Sequence, residues 1–78
     1  MEIKIIAKKR LGKAENNMVK FIYFLRDVDP NPIRQLGAYY QYVYLSEEAL
    51  EHESVIAGFE KELIKSIGNK FLKMYFPD

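Results

Sequence analysis

The sequence predicts a small α+β domain: an antiparallel sheet of three or four strands with one long helix packed on one face, ordered β-β-β-α with an optional C-terminal β-strand. Two N-terminal stretches have strand character, and residues 37–45 form a tyrosine-rich run between Gly37 and Ser46. After residue 46 the apolar period changes from 2 to 3.6. With 78 residues the chain is a single domain, 1–78. A domain of this size buries only about 60% of the surface its unfolded chain exposes, so its stability is marginal or assisted by self-association.

Residues 2–9 alternate, with Ile3, Ile5 and Ala7 on one side and Lys4, Ile6 and Lys8 on the other. This pattern suits an edge strand with one face on a core, and edge lysines discourage unwanted pairing. Residues 11–17 read as the connecting loop of a hairpin, because Gly and Asn tolerate positive φ. Residues 18–26 form the second strand, nearly apolar throughout, with Val19, Phe21, Tyr23 and Leu25 opposed to Lys20, Ile22, Phe24 and Arg26. The stretch 27–36 is irregular: Pro30 and Pro32 remove backbone donors and bias the residues before them toward extended conformations. It is either a rigid turn or an interaction loop.

The tyrosine-rich run reads as the central strand, with Tyr40, Tyr42 and Tyr44 on one face and Tyr39, Gln41, Val43 and Leu45 on the other. Ser46 is a good N-cap, and Glu47 and Glu48 place negative charge where the helix dipole favours it. Ala49, His52, Ile56, Phe59, Leu63 and Ile67 then form one helical stripe, with Glu60 as a polar blemish at its margin. Gly68-Asn69 reads as a helix stop. Residues 70–76 fit either a continued helix through Phe71 and Met74 or a fourth strand, and the aromatic run favours the strand.

Several function classes lose their chemistry at this level. The chain has no cysteine, which removes disulfides, thiolate metal ligands and cysteine nucleophiles together. Its single histidine, His52, is expected to be partly buried, and Ser54 two residues along a helix points elsewhere. A serine-histidine device is therefore not assembled. His52 and Glu48 make half a metal site at best. Asp27-x-Asp29-x-Asn31 imitates the start of a calcium loop but has Pro32 at position six and Ala38 at position twelve, where Gly and Glu are required. No phosphate-cradling glycine motif is present, so the expectation is a protein that is not an enzyme and takes no cofactor or metal. The lack of a leader-like h-region, a membrane-length apolar run or disulfides points to a cytoplasmic protein.

The net charge of +1 hides an asymmetry: residues 1–26 hold +5, 27–62 hold −6 and 63–78 hold +2. Either this makes a dipolar field that orients a partner, or the blocks neutralise each other within the monomer. If Val19, Phe21, Tyr23 and Leu25 pack with Ile3, Ile5, Val43 and Leu45 under the helix, the opposite face displays Tyr40, Tyr42, Tyr44, Phe24, Ile22 and Ile6. Lys4, Lys8, Lys20 and Arg26 border it. Such a surface fits a protein partner, with Asp27, Asp29 and Asn31 of the neighbouring loop as further candidate contacts. It also fits single-stranded nucleic acid, with bases on tyrosines and phosphates on cations. A third reading has the tyrosines closing a homodimer or a second core layer. The leading expectation is a protein-binding inhibitor or adaptor, with the nucleic-acid module as the alternative. In size and sheet-plus-helix plan the whole chain resembles small phage-encoded proteins that block a host machine, anti-CRISPR proteins among them, a resemblance of architecture alone.

Overall fold

The computed structural model describes residues 2–31, 33 and 37–75. Pro32, residues 34–36 of the irregular stretch, and Phe76, Pro77 and Asp78 lie outside the described residues. Three antiparallel strands, β1 (Ile3–Lys13), β2 (Met18–Asp27) and β3 (Ala38–Ser46), pair in the order β1-β2-β3. A four-residue helix α1 (Glu47–Leu50) and a 23-residue helix α2 (Glu53–Tyr75) follow. The tyrosine-rich strand is therefore an edge and not the centre. Consecutive antiparallel strands pair with their sequence neighbours, which leaves β2, apolar on both sides, in the middle.

The first hairpin closes in less chain than residues 11–17 suggest, since β1 runs on to Lys13. Asn16 and Asn17 take the left-handed conformation, at φ 61° and 58°, and the Ala14 N–H donates to the Met18 carbonyl at 2.7 Å. β1 is longer than β2 because it carries extra residues. Ile5 faces Leu25 but Ala7 faces Phe24, which leaves Ile6 in a bulge. A second shift lies between Arg10 and Gly12, where Gly12 sits at φ 112°, a conformation that favours glycine.

The first bulge corrects the simple alternation. An inserted residue reverses every side chain beyond it. Lys8 faces Tyr23 and so points to the helix side, while Lys9, opposite Ile22, takes its place on the open face. Ala7 likewise leaves the core side.

The core lies between sheet and α2. Val19, Tyr23 and Leu25 of β2 are at most 1% exposed; Ile3, Val43 and Leu45 join them from the flanking strands, and Ile67 and Phe71 from the helix. Burying a side chain of this size contributes about 1.5–3 kcal/mol. Ser46 caps α1 as expected, its hydroxyl accepting from the Ala49 N–H at 3.1 Å.

One continuous helix from residue 47 is not formed. The Glu51 and His52 N–H groups donate three residues back, to Glu48 and Ala49, and the His52 carbonyl then starts α2 by accepting from the Ile56 N–H at 3.2 Å. This tightened turn breaks the stripe's phase, and His52 is exposed, contrary to expectation. At the other end, Gly68-Asn69 does not stop the helix and residues 70–75 are helical, not a fourth strand. A helix-interior glycine costs about 1 kcal/mol. Carrying the helix on buries Phe71, 4% exposed, edge-on against the Tyr39 ring at 5.8 Å, which outweighs that cost.

Candidate partner-binding surface

The sheet has one covered face and one open face. Val19, Tyr23, Leu25, Val43 and Leu45 point toward α2, so strand alternation sends Lys20, Phe24, Arg26, Tyr40, Tyr42 and Tyr44 the other way. Tyr40 is 58% exposed, Tyr42 46%, Tyr44 51%, Phe24 39% and Ile6 56%. Six apolar or aromatic side chains of this face, counting half-buried Ile22, are uncovered by any described residue.

The rings are organised among themselves. Tyr40 and Tyr42, two apart on the same strand, meet edge to face at 5.8 Å and 82°. The Lys20 ammonium sits 4.5 Å from the Tyr42 ring centre and 5.9 Å from that of Tyr44. Facing Tyr44 across the β2–β3 ladder puts Lys20 there, and exposed contacts of this kind contribute about 0.5–1 kcal/mol. The register puts Lys4 opposite Arg26 at the far end of the same face. Both are exposed, and the Lys4–Glu2 pair at 3.5 Å, more than half exposed on each side, contributes little.

Lys8 serves the covered face. Its ammonium donates to Glu60 Oε2 at 2.9 Å, and the Tyr23 hydroxyl donates to the same oxygen at 2.7 Å. The polar blemish of the helical stripe is thus the acceptor that two strands reach for. Burial raises the Glu60 pKa, but the Lys8 and Tyr23 hydrogen bonds outweigh it, holding the carboxyl below its usual range. Burial, then the hydrogen bond to Glu60 and its charge, push the Tyr23 hydroxyl well above its usual value. A second bridge, Lys13 to Glu47 at 3.2 Å, also ties β1 to the helical segment.

Of the Asp27, Asp29 and Asn31 candidates, the two aspartates turn inward and Asn31 stays exposed. Asp27 is 1% exposed and Asp29 9%, and each of the three side chains accepts from the N–H two residues on, at 3.0, 2.9 and 3.1 Å. Spacing by two makes each an Asx turn. Asp27 Oδ1 also accepts from the Glu2 N–H at 3.0 Å, which pins the start of the chain to the loop. Calcium-like spacing here is turn chemistry. The turns end at Ile33, 92% exposed.

Sequence reasoning missed Lys9 and Ile33. The adjacent Ile5 and Ile6 in a strand with one solvent face were the available sign of a bulge; Ile33 gave none beyond its place among prolines. Among the described residues no group of three or more His, Cys, Asp or Glu is placed to hold a metal ion, and no helix is long and apolar enough to cross a membrane. Comparison with known proteins finds no matching family model, no matching curated protein and no matching solved structure, so the functional reading rests on this geometry.

Proposed function

We propose that the chain is a protein-binding module of the cytoplasm, acting without catalysis as a small inhibitor or adaptor that docks its open sheet face on an acidic patch of another protein. The observation that carries this reading is the uncovered cluster of Tyr40, Tyr42, Tyr44, Phe24 and Ile6 opposite the helix-covered core. Exposed aromatics backed by a folded sheet are rigid, lose little entropy on docking, and are the side chains that dominate interface energetics. Lys4, Lys9, Lys20 and Arg26 around them favour carboxylates on the partner's rim.

Ring geometry favours protein over nucleic acid. Base stacking needs ring faces open to the bases. Here Tyr40 and Tyr42 stand at 82° to each other, and Lys20 covers the faces of Tyr42 and Tyr44.

The test is retention of a stoichiometric protein from a lysate of the encoding organism, with and without nuclease, by the tagged chain and by Tyr42→Ser/Tyr44→Ser. The expected result is a protein held in both samples by the parent and lost by the variant, whose far-UV circular dichroism stays native. Retention by the serine variant overturns the role of this face. Loss after nuclease, with affinity falling steeply with salt, transfers the face to nucleic acid.

A further inference from the structure

We infer that β3 pairs antiparallel with β3 of a second copy, joining two sheets into one of six strands with Tyr42 on the two-fold axis. This concerns the strand's edge and not the face assigned above, and it stands or falls separately.

The sheet has two outer edges, and they are treated differently. β1 carries Lys4, Lys8, Lys9, Arg10 and Lys13 and two bulges, the features that discourage strand addition. β3 has neither. Residues 37–46 contain no charged residue and no proline, and the strand pairs with β2 over nine residues without a register shift. No described residue pairs with its outer edge.

The direction of the backbone groups follows from one bond. The Asp27 N–H donates to the Gly37 carbonyl at 3.0 Å, which makes 27 and 37 a hydrogen-bonded pair. Such pairs alternate along an antiparallel ladder. Tyr39, Gln41, Val43 and Leu45 therefore bond to β2, and Ala38, Tyr40, Tyr42, Tyr44 and Ser46 point their N–H and C=O groups outward. The Gln41 side-chain amide agrees, since it donates to the Tyr42 carbonyl at 3.1 Å, covering an acceptor the sheet does not use.

A second copy satisfies this edge better than an unrelated strand for two reasons. Centring the pairing on Tyr42 matches outward residue to outward residue over the whole strand: Tyr42 with itself, Tyr40 with Tyr44 and Ala38 with Ser46. Five such pairs exchange about ten hydrogen bonds. Self-pairing also sets like against like, which only an uncharged strand tolerates, and it places tyrosine opposite tyrosine on the open face.

The helix layer is self-complementary about the same axis. α2 lies over the sheet, Glu60 reaching Lys8 of β1, Phe59 reaching Tyr23 of β2 and Phe71 reaching Tyr39 of β3. A groove of about 340 Å³ between β3 and α2 has Tyr42 and Val43 on one wall and Ser66 and Ile67 on the other, which sets Ser66 level with the axis. Glu62, Ser66 and Lys70 follow at four-residue spacing along one side of α2 and line one depression. An antiparallel α2 of the second copy, with Ser66 facing Ser66, then puts Lys70 against Glu62, twice over. The two middle strands are three strand spacings apart, about 14 Å, a gap that facing Lys and Glu side chains can bridge.

Sedimentation equilibrium of the full chain should give about twice the 9.2 kDa chain mass. Glu62→Lys and Lys70→Glu are exposed changes, and each should weaken the dimer about tenfold because two pairs are lost together. The double swap should restore it. Tyr42→Pro should give a folded monomer, because it deletes an outward N–H and none bonded to β2. A chain that stays monomeric up to about 1 mM overturns the inference. So does a dimer whose dissociation constant ignores the single charge reversals, and so does one dissociated by Phe24→Ser, a residue of the open face and not of the edge.

Discussion

Glu60 shows how one residue fixes the relation of helix to sheet. It accepts from Tyr23 of the central strand and Lys8 of the edge strand through a single oxygen. Glu60 has a folded pKa below its unfolded one, so its contribution is present above the ordinary value of 4.5 and lost as pH falls through the folded value. Tyr23 has a folded pKa above its ordinary 10.0, so its contribution is present below 10.0 and lost as pH rises toward the folded value. Urea melts across pH should therefore show stability declining in acid below about 4.5 and in alkali above about 10. Tyr23→Phe should remove the alkaline decline and cost about 1–2 kcal/mol at neutral pH. Glu60→Gln should remove this residue's share of the acid decline. An alkaline decline that persists undiminished in Tyr23→Phe would assign it to other groups. From the sequence, Glu60 was visible only as a break in an apolar stripe. Its meaning depended on Lys8 pointing the same way, which strand alternation denied.

At the scale of elements, strand identity was legible and strand geometry only in part. Aromatic and β-branched runs gave β2 and β3 nearly to their ends but stopped β1 short of Lys13, and period-2 alternation gave the covered and open faces of β2 and β3. Alternation failed on β1, because a bulge is one residue in eleven and leaves composition unchanged. It failed for the helices because local signals yielded to packing. Gly68-Asn69 looked like a stop until Phe71 had a ring of Tyr39 to cover. Alternation put the tyrosines, Phe24, Lys20, Lys4 and Arg26 on the side of the sheet they occupy, and put Lys8 on the wrong side, for the same reason that it failed on β1. Deleting Ile6 tests this. With the bulge gone, either Lys8 leaves Glu60 or Ile3 and Ile5 leave the core. Ile3 is 8% exposed, and either outcome should cost more than about 2 kcal/mol. Ile6→Ala keeps the chain length and, being an exposed site, should cost less than about 0.5 kcal/mol. Equal losses in the two variants would mean that Ile6 matters for its side chain and not for the register it sets.

For the molecule as a whole, the charge asymmetry along the chain resolves into two uses separated by the sheet. On the helix side, basic β1 meets the acidic helical segment directly, Lys8 with Glu60 and Lys13 with Glu47. Part of the asymmetry is thus neutralised within the monomer. On the open side, Lys4, Lys9, Lys20 and Arg26 of β1 and β2 face away from that acidic segment and flank the tyrosines of β3, so this face keeps a positive field. The two groups of cations should separate cleanly in experiment. Lys20→Ala/Arg26→Ala should slow association with an acidic partner about tenfold at low salt, with the difference shrinking as ionic strength shortens the Debye length from about 30 Å at 0.01 M to about 8 Å at 0.15 M. Thermal stability should hardly change. Lys8→Ala should do the reverse, lowering stability through Glu60 and leaving the association rate alone. Stopped-flow association and thermal melts on the two variants measure this directly. Equal effects on association would mean that the partner senses net charge alone, whereas a difference would show that the bulge at Ile6 decides which cations the open face presents.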